Sequence, residues 1–306
     1  MSTVVVGTMA FDSLETPFGK AERIVGGAAT YIGLSASYLA KDIQMVSVVG
    51  EDFPQDFISE LESRGLRLDG VEQKKGEKSF FWSGKYHNDM NTRDTLDTQL
   101  NVLADFQPNV PLVDRNADFL MLGNLTPSVQ MSVIEQMTTR PKLVVLDTMN
   151  FWMEIALEDL KKVLKKVDVV TINDEEARIL SGEYSLVKAA RKILEMGPQV
   201  LIIKKGEHGA LLFNHEEVFF APALPLEEVF DPTGAGDTFA GGFIGFLAAT
   251  EDISFANMKR AIIYGSAMAS FCVEKFGTER LQNLTKKKID NRIQQFIDLT
   301  QVEIKF

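Results

Sequence analysis

Residues 231–242, Asp-Pro-Thr-Gly-Ala-Gly-Asp-Thr-Phe-Ala-Gly-Gly, place three nearly side-chain-free residues beside a carboxylate and just ahead of an apolar run. Gly234, Ala235 and Gly236 let their backbone N–H groups come close to a ligand and take turn conformations that bulkier residues resist. Thr238 to Ala249 is apolar enough for a buried helix, and the first amides of a helix lack internal acceptors and sit at its positive end. Phosphate binds readily at such an end. Asp237 stands at the join, where it can take a proton from a hydroxyl or simply cap the helix.

Two other phosphate motifs are excluded. A P-loop needs Gly-Lys followed by Ser or Thr, but Gly19-Lys20 and Gly84-Lys85 are followed by Ala21 and Tyr86. A dinucleotide fingerprint needs a third glycine where Phe239 stands, and it belongs in the first βαβ unit rather than late in the chain.

The elements that must position this turn show as apolar strand-like runs at Val4–Val6, Met45–Val49, Phe119–Leu122, Leu143–Leu146, Val169–Ile172 and Val200–Ile203. Helical patterns such as Gln55–Ser63 and Leu186–Glu195 separate them, and helices are also expected over about Ala28–Ala40 and Ala261–Val273. Alternation of this kind predicts an α/β fold, a mostly parallel sheet covered by helices on both faces. Short strands within Lys78–Tyr86 and a polar stretch through Thr98 interrupt the pattern and predict a small β lid. Its Tyr86, His87, Asp89, Asn91 and Arg93 would line a polar ligand or form a solvated hairpin edge.

Composition bounds the functional classes. The 306 residues, 45% of them hydrophobic, can bury one large α/β core or two unequal domains. A net charge of −11 argues against a sequence-independent nucleic-acid binder. The single cysteine, Cys272, lies in an apolar run and is expected in the core, and no Cys/His metal cluster is visible. The N-terminus lacks the basic and long apolar segments of a signal peptide and no window reaches a membrane span, so the expected location is the cytoplasm, away from membranes. His208 and His215 fall in or near turns of an expected hairpin and are read as surface residues.

The twelve-residue stretch resembles the C-terminal signature of the ribokinase-like, or PfkB, family of carbohydrate and nucleoside kinases. The resemblance implies one ribokinase-like domain over 1–306, with lid strands from roughly 12–25 and 76–104. It implies ATP and Mg²⁺ as cofactors and a sugar, polyol or nucleoside as substrate. Asp237 would be the general base, and the Gly234-Ala235-Gly236 amides would hold the charge on the transferring phosphate. A homodimer through the lid is also implied.

Further matches follow the family's order along the chain. Asp12, just beyond the first strand, corresponds to an aspartate that bonds substrate hydroxyls, although a turn or cap would use it equally. Gly26-Gly27 corresponds to a substrate-contacting hinge pair. The family's sugar-binding asparagine falls at Tyr31, which could stack on a base or sugar or point into the core. Asn150, after Asp147-Thr148-Met149, sits near a family Asp-x-Asn element with one residue of extra spacing.

In the nucleotide half, Asn173 and Glu176 match an N-x-x-E motif that organises the water shell of Mg²⁺, and equally form a helix capping box. Lys204 and Gly206 fall on the strand and turn that pass beneath the adenosine, with Lys204 where threonine is usual. Ser266 would lie near adenine, and Thr233 beside the nucleotide. Some members bind a monovalent cation such as K⁺ through an aspartate matching Asp231 and carbonyls near Thr233 and Gly277. On this resemblance the expected function is ATP-dependent phosphorylation of a sugar or polyol, with a nucleoside kinase as the alternative. A non-catalytic sensor is the remaining rival, and it should have lost the base or the anion turn, both intact here.

Overall fold

A computed structural model of the chain describes residues 1–301, so the last five residues of the expected 1–306 domain lie outside the described residues. The chain opens with β1 (Thr3–Val6), β2 (Ala10–Thr16), β3 (Gly19–Gly26) and α1 (Ala28–Ser37), then β4 (Ile43–Gly50), α2 (Gln55–Ser63), β5 (Leu66–Lys74), β6 (Phe80–Tyr86) and β7 (Arg93–Gln99). It continues through β8 (Phe119–Leu122), α3 (Pro127–Gln136), β9 (Leu143–Asp147), α4 (Asn150–Ile155), α5 (Leu157–Leu164), β10 (Val169–Asn173), α6 (Asp174–Ser181), α7 (Leu186–Leu194) and β11 (Val200–Lys204). The hairpin of β12 (Ala210–Phe213) and β13 (Val218–Ala221) precedes α8 (Ala235–Thr250), α9 (Phe255–Cys272), α10 (Glu279–Gln282) and α11 (Lys286–Thr300).

Nine strands form one sheet in the order β13-β12-β11-β10-β9-β8-β1-β4-β5. All its pairs are parallel except β11–β12 and β12–β13, as expected for strands linked by helical crossovers that end in a hairpin. The period of two along each strand divides the core between the two faces. Val5 joins an apolar cluster with α1, α8 and α9, while Val4 and Val6 join another with α5, α6 and α7.

β3, β2, β6 and β7 make a separate four-stranded sheet. β2 pairs with β6 in parallel and the outer pairs are antiparallel. The structure thus places strands within both segments expected for the small sheet, though β2 begins before residue 12.

Two helix ends differ from the sequence expectation. α1 stops at Ser37, because the Leu39 and Ala40 amides both turn back onto the Ala36 carbonyl. α9 begins six residues before Ala261, where the Ser254 hydroxyl accepts from the Asn257 amide and caps it. Cys272 is buried, as expected, and donates to the Thr233 carbonyl.

α1 and α8 cross at glycine. A side chain at Gly241 would run into the Ile32 carbonyl, and one at Gly245 would press on Ala36. The Ser35 hydroxyl donates to the Thr238 carbonyl at 2.7 Å across this contact. Close packing of these helices fixes Gly26-Gly27, at the start of α1, relative to the 231–237 turn at the start of α8.

Candidate active site

Gly234 caps α8 with φ +73°, a conformation open to glycine and costly for other residues. The Tyr31 ring lies directly against its Cα, so that any side chain at 234 would overlap the ring. The Ala235 amide donates to the Pro232 carbonyl and the Thr238 amide to Gly234. Between them, among the described residues, the Gly236 and Asp237 amides have no acceptor. They form the N-terminal end that an anion would occupy.

Asp231 shapes this turn from below. It is 1% exposed, and its two oxygens accept the Thr233 and Gly277 amides at 2.8 Å each. Burial raises its proton affinity, while the two amides work in the opposite direction.

The Asp237 Oδ1 is buried without any hydrogen-bond partner. Burial is the main cause that pushes its pKa up to about 7; the negative charge of Asp147 and Glu176 adds to the shift, and Lys204 and Arg93 oppose it. Asp12 rises to about 8 through burial, then through repulsion from Asp231 and Asp237. A carboxylate poised near neutrality beside an anion-binding helix end can accept a proton from a hydroxyl held in the cleft.

Asn173 and Glu176 form a complete capping box at the start of α6. The Asn173 amide donates to Glu176 Oε2 at 2.7 Å, and the Glu176 amide donates to Asn173 Oδ1 at 2.8 Å. Burial raises Glu176 to about 7, with Lys204 pulling it down and Asp147 pushing it up. Its second carboxylate oxygen remains available to a water. Among the described residues no group of three or more His, Cys, Asp or Glu side chains is arranged to hold a metal directly. These donors fit Mg²⁺ that is carried on phosphates and keeps its waters.

β9, β10 and β11 end side by side, and their last residues are Asp147, Asn173 and Lys204. Lys204 Nζ donates to Asp147 Oδ1 at 2.9 Å. Ligand contacts at the carboxyl ends of parallel strands are a general feature of such sheets. The small sheet closes the other side. The Thr233 hydroxyl donates to the Tyr86 hydroxyl at 3.1 Å, and Asn91 lies so close to Gly206 (φ +54°) that a Cβ there would meet its Oδ1 at 2.7 Å.

Not every expected residue faces the cleft. Tyr31 is 1% exposed and packs under Gly234, so its ring offers no face for stacking; a side chain on the inner side of α1 is turned toward α8. Asn150 opens α4 and its side chain only accepts from the adjacent Phe151 amide, whereas Asp147, three residues earlier, is the member of that element that reaches the centre. Ser266 lies half-buried within α9. Gly26 abuts Asp12 so closely that a side chain would collide with the carboxylate. His208 and His215 are both exposed, His208 in the short turn that begins at Gly206.

Comparison with known proteins identifies the family. The family described as pfkB family carbohydrate kinase matches residues 5–285, and the chain belongs to it. A cytidine kinase of Thermococcus kodakarensis is 29% identical over 80% of this chain and 87% of its own. A nucleoside kinase of Methanothermobacter thermautotrophicus is 26% identical over 90% of each chain. An Escherichia coli structure solved with ATP and Mg²⁺ superposes with a TM-score of 0.77 at 20% identity, over 96% of this chain and 99% of that one, which establishes the ribokinase fold. The protein is a phosphotransferase, an ATP-dependent sugar or nucleoside kinase.

Proposed function

We propose that Asp237 is the general base of this kinase and that the Gly236 and Asp237 amides, presented by the Gly234-Ala235-Gly236 turn, receive the transferring phosphoryl group. The observation that carries this reading is the buried, unpartnered Asp237 Oδ1 at the same helix end as two free amides. The acceptor hydroxyl oxygen forms its bond to the γ-phosphorus while the bond to the bridging oxygen breaks. The electron pair leaves with ADP, and the proton goes to Asp237. Asp12, packed against Gly26, orients the acceptor, with Gly27 at the start of α1 beside it. Gly206 and Thr233 border the nucleotide, with Ser266 further along α9.

Mg²⁺ would neutralise and orient the ATP phosphates. Glu176, with Asn173 behind it, would hold waters of that ion. Asp231 is the candidate for a K⁺ site, because it is buried and joins the turns at Thr233 and Gly277. The small sheet serves as the lid that excludes water, and all seven residues of its free edge strand β7 are exposed, which favours a homodimer through that edge. Among the described residues no helix is long and apolar enough to cross a membrane, and we place the enzyme in the cytoplasm, where its ATP is supplied.

A sugar or polyol is the first acceptor reading. The second is a nucleoside, favoured by the cytidine and nucleoside kinases that match most of the chain. ATP consumption with Mg²⁺ should be measured over pentoses, hexoses, polyols and nucleosides, with Asp237→Asn as control. Turnover on one acceptor that is lost in the variant supports the assignment. Turnover unchanged by the substitution removes Asp237 from the mechanism, and ligand-induced stabilisation without turnover on any acceptor would favour the sensor.

A further inference from the structure

Lys204 ends β11 and reaches inward rather than out to water, with its side chain 18% exposed and that of Asp147 9% exposed. The pair spans one intervening strand, since β10 lies between β9 and β11. Burial of two charges is seldom worth its desolvation cost as a stability device, because apolar residues of similar volume do as well or better. The pair therefore asks for another explanation.

The position of the ammonium supplies it. A Cβ at Gly236 would lie 3.0 Å from Lys204 Nζ, so the ammonium sits against the first turn of α8, beside the amide that has no acceptor. Two positive sources, a helix N-terminus and a lysine, converge on one spot and repel each other unless an anion lies between them. Asp147 offsets only one of the three ammonium donors, and among the described residues the other two have no partner. The charges of Glu176 and Asp237 also act on the ammonium, and that of Arg93 from the small sheet acts on those same two carboxylates. Each free donor can meet an oxygen of a group seated on the Gly236 amide.

We infer that Lys204 is a catalytic residue of the phosphoryl transfer, its ammonium donating to a non-bridging oxygen of the γ-phosphoryl group, and that Asp147 is the positioning residue that holds it there. The inference deepens the kinase reading and rests on it. Lys204 keeps its proton throughout; the acceptor's proton still goes to Asp237, and the electron pair still leaves with ADP. Lysine at this position places a full charge where a hydroxyl would place a dipole.

Calorimetric binding of ATP and of AMP to the full chain in Mg²⁺ buffer separates phosphate contact from adenosine contact without any need for the acceptor. Lys204→Met should weaken ATP by roughly 10- to 100-fold and leave AMP unchanged, the scale of one charge-assisted hydrogen bond. With an acceptor in hand, kcat should fall roughly 10²- to 10³-fold, as for loss of one anion-hole donor, while the acceptor KM stays fixed. Lys204→Arg should recover part of the ATP affinity. If Lys204→Met does not fold, the double variant Lys204→Met/Asp147→Leu removes both buried charges and carries the same comparison. Equal losses for ATP and AMP, or no loss for either, would overturn the assignment. Failure of the unsubstituted protein to bind ATP at all would instead sink the kinase reading beneath it.

Discussion

Thr233 and Tyr86, 147 positions apart in the chain, share a hydrogen bond of 3.1 Å between their hydroxyls, which ties the small sheet to the turn at the head of α8. Tyr86 is 6% exposed, and burial pushes its pKa up to about 12, so its hydroxyl stays protonated and neutral across the working range. Tyr86→Phe removes this tie and little else. The expected result is a rise of about 5-fold in acceptor KM, near the 1 kcal/mol of a neutral hydrogen bond, with kcat nearly unchanged. Steady-state kinetics decide it, and an unchanged KM would mean that the small sheet does not hold the acceptor.

Asp237 should impose a pH limb on the reaction. Its ionised form is the one that accepts a proton, and its pKa lies at about 7. kcat/KM should climb about tenfold per unit below that pH and level off above it. A profile already flat from pH 5 upward would assign the proton to another group.

The same burial predicts a cost in stability. The folded pKa of Asp237 exceeds its ordinary value of 3.8, so between about pH 4 and 7 the native state holds a proton that the unfolded chain has released. Unfolding free energy therefore falls as pH rises through this window, by at most about 1.4 kcal/mol per unit from this group. Asp237→Asn, inactive by roughly 10²- to 10⁴-fold, should melt at a higher temperature than the parent at pH 8 and match it more closely at pH 4. Parallel melting curves for the two proteins would contradict the assignment of an unpaired buried carboxylate.

Gly26→Ala tests the role of Asp12. The new methyl group would collide with the Asp12 carboxylate and displace it. Acceptor KM should rise tenfold or more while ATP affinity is held, because the nucleotide residues lie on other elements. Equal damage to both substrates would point to a general loss of fold, which circular dichroism would register.

Replacing K⁺ by choline in the assay addresses Asp231. If a cation completes the loop between Thr233 and Gly277, activity should fall several-fold and return on titration with KCl. Equal rates in both salts would leave Asp231 with its amide-binding role alone.

The turn and helix start at residues 231–242 were legible in the sequence because they are local. A glycine turn entering an apolar helix creates free amides within a few positions, whatever the rest of the chain does. The capping box of Asn173 and Glu176 is equally local, formed across three residues. The strand runs, too, were readable from their apolar content, and six of them recur as β1, β4, β8, β9, β10 and β11. β5 was missed because Leu66–Lys74, a mostly polar strand at the sheet edge, carries no apolar run.

Tertiary structure decided the direction of side chains and the partners brought together from distant segments. The order β11-β10-β9 set Lys204 beside Asp147 across 57 positions, a pairing no spacing rule could specify. Packing of α1 on α8 turned Tyr31 inward beneath Gly234 instead of toward a ligand. Sequence alone pointed to the turn and the carboxylate proposed to bind phosphate and take a proton, since backbone conformation over a few residues depends on their own side chains. Which charges face those groups depends on strand order and helix packing, set by burial summed over the whole core.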